Sequence, residues 1–305
     1  MVQYVVRRLL IFIPVLFVVA TVTFFLIRLA PGGPFSSEKA VSDEALRQIE
    51  AQYDLDAPLF AQYGKYLWNL LHGDLGPSLK RPNRSVIEWI LLKFPVSIEL
   101  GLYGLLVALC LGLPAGILAA WRQNTSTDYA VMSVAMIGIC VPNFVLGPLL
   151  VYVFAIRLGW LPVALWEIPS DKILPAVTLG AVYAAYIARL TRASLLEVIS
   201  QDYVRTARAK GLSEPRVVLA HGLPNALQPV VAFLGPAAAG LLTGSFVVEN
   251  IFGVPGLGSE FVNAALNRDY TMIMGTVLVF AVLVMLFNLA VDLVQAWLDP
   301  RLRYE

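Results

Sequence analysis

This sequence predicts an all-α integral membrane fold with six transmembrane helices, on three observations. The 305-residue chain is 58% hydrophobic and only 14% charged, where soluble domains carry roughly 25% charged residues. Six uncharged runs reach or approach the ~20 residues that a helix needs to cross a bilayer. The charge that remains is concentrated, above all in residues 202–224, DYVRTARAKGLSEPRVVLAHGLP. A net charge of +1 says little as a total, because in membrane proteins its placement matters more. Cys110 and Cys140 lie inside apolar runs, so they read as packing residues and not as a disulfide framework.

The first run lies between Arg8 and Arg28 and holds 19 residues, about 28 Å as a helix. It exceeds the roughly 7–15 apolar residues of a cleaved signal peptide. It therefore reads as a retained helix ending at Pro31-Gly32-Gly33-Pro34. Residues 31–98 form a polar interlude. Its 40–53 stretch is mixed-charge and helix-compatible. Phe60, Tyr63, Tyr66 and Trp68 then recur about every third residue, which suits a helix lying against the membrane surface. Gly73 to Ser78 is turn chemistry. The interlude reads as a small folded lobe between helices 1 and 2.

Five further runs follow, at 100–121, 129–156, 173–188, 229–248 and 270–291. The 173–188 run reaches span length if Arg189 snorkels to the interface. Pro142 and Pro148 leave 129–156 open to breakage into a span and a surface piece. The chain so divides into 1–98, the first helix plus an extracytoplasmic lobe, and 99–305, a five-helix core. Within that core, 189–228 is a charged loop.

Lysine and arginine placement sets the orientation. With the N-terminus inside, the inner segments hold Arg7, Arg8, Arg122, the loop cations Arg189, Arg192, Arg205, Arg208, Lys210 and Arg216, and Arg301 and Arg303. The short outer segments hold only Arg157, Lys172 and Arg268. Eleven against three puts both termini and the 189–228 loop in the cytoplasm.

Catalytic chemistry has little support. His72 and His221 are the only histidines and fall on opposite faces in this topology, so no histidine pair can share a metal. HExxH and GxSxG are absent. The one Gly-Lys step, Gly64-Lys65, has Leu59 and Tyr66 where a phosphate-cradling loop needs glycine and Ser or Thr. Ion or proton relays require ionisable residues at mid-membrane. Asp292 is the one clear acid within a span, near the inner end and close to Asp299 and Arg301. It reads as an interfacial acid. A proton- or sodium-driven carrier therefore loses ground, and any energy must come from elsewhere.

Within 202–224, Asp202 to Lys210 has helical spacing, Gly211 suits a C-cap, and Arg208 and Lys210 suit the helix dipole. Ser213 can cap a second helix with Pro215 in its first turn, ended by Leu223-Pro224. The result is a helix–Gly–helix elbow on the membrane face. A loop that merely touches lipid headgroups has the same composition. Elsewhere Gly112/Gly116, Ala181/Ala185 and Gly240/Gly244 have the four-residue spacing of close helix packing.

The offsets of Ala207, Gly211, Leu223 and Pro224 resemble the "EAA…G…LP" loop of permease subunits of ABC importers. Arg205 stands where that pattern has glutamate and His221 where it has isoleucine; both departures match the peptide/nickel branch, to whose loop YVRTARAKGL (203–212) is similar. YVVRRLLIFIPVL with LAPGGP, DLDAPLFAQY, GDLGPS, ENIFGVPGLGSEFVNAALNRDY and VDLVQAWLDPRLR extend the resemblance over nearly the whole chain. They look like the B-type permease of dipeptide and oligopeptide importers. Gly33, where the family often has Asp, is a small departure.

This resemblance implies a type I importer permease in the inner membrane of a prokaryote. It implies a heterodimer with a second permease, two ATP-binding subunits, and an extracytoplasmic peptide-binding protein. ATP and Mg would be used on the partner subunits; this chain would hold no cofactor or metal and bind no nucleic acid. Motor coupling falls to Asp202, Tyr203, Arg205, Thr206, Ala207, Arg208, Lys210, Gly211, Leu223 and Pro224. Asn143, Tyr183, Tyr186, Ser245 and Asn288 are polar side chains in apolar spans, open to either pathway lining or packing hydrogen bonds. Phe252, Pro255, Gly256, Arg268 and Asp269 are candidates for binding-protein contact, with Asp269 and Arg268 placed to pair. Nickel, haem or glutathione as cargo, an ion-coupled carrier, and a scaffold are the rival readings.

Overall fold

A computed structural model describes every residue except 1, 31, 36–43, 45–47, 49–50, 52, 82–83, 244–245 and 299–305. Most of the 40–53 stretch, Gly244, Ser245, Asp299, Arg301 and Arg303 therefore lie outside the described residues. The described chain is helical. Four helices are long and apolar enough to cross a membrane, or six when each of two bent pairs counts as one span. Two compact units form, one from 2–96 and 255–283, the other from 97–254 and 284–305.

In the first unit, α1 (Val2–Leu29) buries Ala20 and Phe24 and exposes Leu10, Ile13, Phe17 and Leu26. A helix with this much exposed apolar surface belongs in lipid. Helix α2 (Leu59–Leu71) packs on the C-terminal turns of α1 through aromatic rings. Phe24 meets Tyr63 at 5.2 Å and Tyr66 at 5.5 Å between centroids. The Tyr63 and Thr21 hydroxyls hydrogen-bond at 2.7 Å.

Helix α3 (Val86–Trp121) contributes its first turns here. Val86 and Ile90 pack with Leu257, Ala264 and Met272.

The second unit is built around α6 (Ile173–Ile199), which follows α4 (Ser126–Cys140) and α5 (Asn143–Arg157). The 129–156 run is broken: α4 and α5 meet at 110°. Pro142 has no N–H to continue the helix and pushes Val141 into extended backbone (φ −85°, ψ 116°). Pro148 lies inside α5 and causes no comparable break. Small residues let α3 and α6 meet closely. A Cβ on Gly112 would lie 2.6 Å from the Ala184 carbonyl oxygen, and one on Gly116 would lie 2.5 Å from that of Ala188.

After α6 come α7 (Asp202–Ala209), α8 (Glu214–Ala226) and α9 (Gln228–Thr243). Helix α8 does not end at Leu223-Pro224, as the sequence suggested. A π-helical turn, Val217–Gly222, precedes Leu223, and the wider turn accommodates a proline that can neither donate nor fit the usual helical groove. The bend comes at Leu227, where α8 and α9 diverge by 52°. The described residues of the 229–248 run lie in α9 and in the start of α10 (Phe246–Phe252). The chain closes with α11 (Leu257–Asn267) and α12 (Tyr270–Leu298).

Candidate functional site: the charged elbow

The elbow begins where α6 stops. Gln201, in extended backbone, is the N-cap of α7. Its eight residues place Val204 and Ala207 on one face, and both are buried against Val217, Ile199 and Leu212. Ala207 is thus a packing residue inside the elbow and not a contact offered to a partner, since a three-residue step keeps it on Val204's face. Gly211 has φ +79°, a left-handed conformation costing L-residues about 1 kcal/mol or more. It reverses the chain into α8.

Polar side chains brace this turn. Arg208 donates from Nε to Glu214 Oε1 at 2.8 Å and from Nη2 to Oε2 at 3.3 Å. Its Nη1 donates to the Ile199 carbonyl at 3.3 Å. One guanidinium therefore joins the end of α6, α7 and the start of α8. Tyr203 closes the far end: its hydroxyl donates to the His221 carbonyl at 3.3 Å and accepts from Asn225 Nδ2 at 2.8 Å. Thr206 Oγ1 donates to the Asp202 carbonyl at 2.9 Å, within α7.

The outward surface is what these braces leave over. Asp202 and Arg205 are highly exposed and meet only loosely, at 3.4 Å. Lys210 and Arg216 are exposed with no acidic partner among the described residues. Leu219 is also exposed. Leu223 is half-buried and Pro224 exposed, both inside α8. Arg216 and Leu219 were not singled out individually from the sequence; a hydrophobe between cations becomes legible only once α8 is known to continue through it.

Arg192, counted from sequence among the loop cations, is not available to a partner. Its Nε and Nη2 donate to both oxygens of Asp128, at 2.6 and 2.7 Å. Asp128 is 1% exposed and also accepts the Asn124 N–H at 3.0 Å. This fork ties the start of α4 to α6, two turns above the elbow. A lone acid just before the 129–156 run carried no sequence signal for that pairing.

Of the pathway candidates, Tyr183 and Tyr186 gather around Phe233 of α9, at 6.4 and 5.8 Å between ring centroids. Gly240 leaves no space for a Cβ beneath the Tyr183 hydroxyl. Asn143 starts α5 with a buried Oδ1 that has no hydrogen-bond partner among the described residues. Asn288 is half-buried.

The outer candidates divide. Phe252, Gly256 and Asp269 are buried, whereas Pro255 is exposed and Arg268 partly so. Asp269 does not pair with Arg268. Its carboxylate accepts from Ser78 Oγ at 2.5 Å, from the Leu79 N–H at 3.2 Å, and from the Met272 N–H at 3.2 Å. It caps α12 and holds the 78–79 loop. Arg268, at φ +58°, turns its side chain to the Gly33 carbonyl at 3.5 Å. Among the described residues no three His, Cys, Asp or Glu side chains are grouped to hold a metal.

A polytopic helical body with a braced, cationic helix–Gly–helix elbow defines an integral membrane subunit of the type I importer permease class. The chain matches the family model described as "binding-protein-dependent transport system inner membrane component" over residues 112–304, and the corresponding N-terminal model over residues 1–100. It belongs to that family. It is 48% identical to the oligopeptide transport system permease protein OppB of Haemophilus influenzae, over 100% of both chains. It is 43% identical to the dipeptide transport system permease protein DppB of Bacillus subtilis, over 99% of this chain and 98% of that one. Among solved structures, a MetNI methionine ABC transporter in an inward-facing conformation shares the fold. Its TM-score is 0.56 at 18% identity, covering 70% of this chain and 97% of the other.

Proposed function

We propose that this chain is the permease subunit of an ATP-driven importer of peptides, forming half of the translocation pathway and seating an ATP-binding subunit on its elbow. Full-length identity to oligopeptide and dipeptide permeases supports peptide cargo over nickel, haem or glutathione, and over an ion-coupled carrier. The partners are a second permease, two ATP-binding subunits and an extracytoplasmic binding protein. ATP and Mg act on the motors, and this chain carries no cofactor. The 189–228 loop and both termini face the cytoplasm, in keeping with the lysine and arginine excess there. Residues 1–98 supply the first helix and outer lobe, and 99–305 the five-helix permease core.

The observation that carries the reading is the separation of roles on the elbow. Val204, Ala207, Tyr203 and Arg208 are spent internally, while Arg205, Lys210, Arg216 and Leu219 are left facing out. Because Arg208 links α6, α7 and α8, a push on α7 passes as a rigid-body displacement to α6 and, through α8, to α9. Those helices carry Tyr183, Tyr186 and Phe233, so motor closure would move the walls of the core. Pro255 and Arg268 are the outer candidates accessible to a binding protein.

The test is ATP hydrolysis by the reconstituted complex with and without peptide-loaded binding protein. The double variant Lys210→Glu/Arg216→Glu inserts and assembles with its partner permease, but loses most peptide-stimulated hydrolysis and uptake. Unchanged stimulation in that variant contradicts docking through this face.

A further inference from the structure

We propose that Arg28, at the outer end of α1, is the anchor of a phospholipid-headgroup site built with Tyr66 and Gln62 in the extracytoplasmic lobe. Two cavities of about 270 and 350 Å³ share Arg28, Leu55, Gln62 and Tyr270 as wall residues. The guanidinium is held but not neutralised. Nε donates to Gln62 Oε1 at 3.1 Å and Nη1 to the Phe24 carbonyl at 3.3 Å, while its plane lies over the Phe24 ring, 3.5 Å from the centroid. No carboxylate among the described residues comes within ion-pair distance of it. The two acids lining the first cavity are otherwise engaged, Asp54 with Lys65 and Asp74 with the Gly76 N–H. Nη2 has no acceptor among the described residues.

Gln62 is fixed by its own amide, which donates to the carbonyls of Leu55 at 3.0 Å and Ala57 at 2.9 Å. Its oxygen is thereby aimed at Arg28. Tyr66 lines the first cavity, and its hydroxyl is buried with no hydrogen-bond partner among the described residues. Burial pushes that phenol up to about 12, so it stays an O–H donor. A charged donor and an orphaned neutral donor beside one cavity call for an acceptor-rich anion.

The position selects the source. Arg28 lies one residue from the end of the span Val5–Leu29, at headgroup depth. The exposed apolar side chains of α1 and α2, Leu26, Leu29, Phe60, Trp68 and Leu71, line neither cavity. The selection therefore rests on depth: a phosphodiester already lies in the headgroup layer where Arg28 ends its span, whereas a soluble anion or an acidic protein side chain must be brought to it.

The complete importer, purified in detergent, can be compared by native mass spectrometry after incubation with phosphatidylglycerol or with inorganic phosphate. Wild type is expected to retain one phospholipid more than Arg28→Gln at the same collision energy. Tyr66→Phe, which removes one oxygen and little volume, should bind it roughly tenfold more weakly, as loss of a hydrogen bond to a charged group implies. Equal retention in wild type and Tyr66→Phe overturns the site. Displacement of the lipid by inorganic phosphate alone, or by the binding protein, overturns the lipid assignment.

Discussion

Arg208 and Lys210 are two cations two residues apart with different work to do. Arg208 is forked to Glu214 and reaches the Ile199 carbonyl; Lys210 touches no acid among the described residues. Arg208→Ala should therefore lower thermal stability of the purified complex by about 1 kcal/mol, the upper end for a partly exposed ion pair, and also impair coupling. Lys210→Ala should leave stability unchanged and weaken motor binding alone. Gly211→Ala forces a Cβ into φ +79° and should cost about 1 kcal/mol. Sequence spacing located these residues correctly on an elbow. It could not divide them into internal and outward, because that division depends on which face Val217 covers, and α8 is brought to that face only by the turn at Gly211.

Single helices show where periodicity suffices and where it does not. The long apolar runs were legible because bilayer thickness sets a length that composition alone reveals. The break at Val141-Pro142 followed from a missing N–H. The continuation of α8 through Pro224 did not, since proline normally ends a helix and only the π turn at Val217–Gly222 absorbs it. The Asp128–Arg192 fork between α4 and α6 was equally hidden, because an ion pair 64 residues apart has no local pattern. Removing Arg192 strands the buried Asp128 carboxylate. Arg192→Gln should destabilise by about 3 kcal/mol, and the double variant Asp128→Asn/Arg192→Gln should recover part of that loss in thermal denaturation. Additive losses would mean that the fork contributes no coupling energy.

At the scale of the molecule, a helical body presents Lys210 and Arg216 with no acidic partner among the described residues, Arg205 only loosely paired with Asp202, and an exposed Leu219 beside them. Charge with an apolar residue among it favours a protein groove over a headgroup layer, because the hydrophobe gains by desolvation and the cations by acidic groups at a rim. Family membership and the full-length similarity to peptide permeases point the same way. The most direct measurement is site-specific photocrosslinking in the assembled importer, with the photoreactive residue placed in turn at 205, 210, 216 and 219 and at the buried positions 204 and 207. The account predicts adducts with the ATP-binding subunit from the first four positions and none from the last two. Adducts only with lipid from the exposed positions would contradict it.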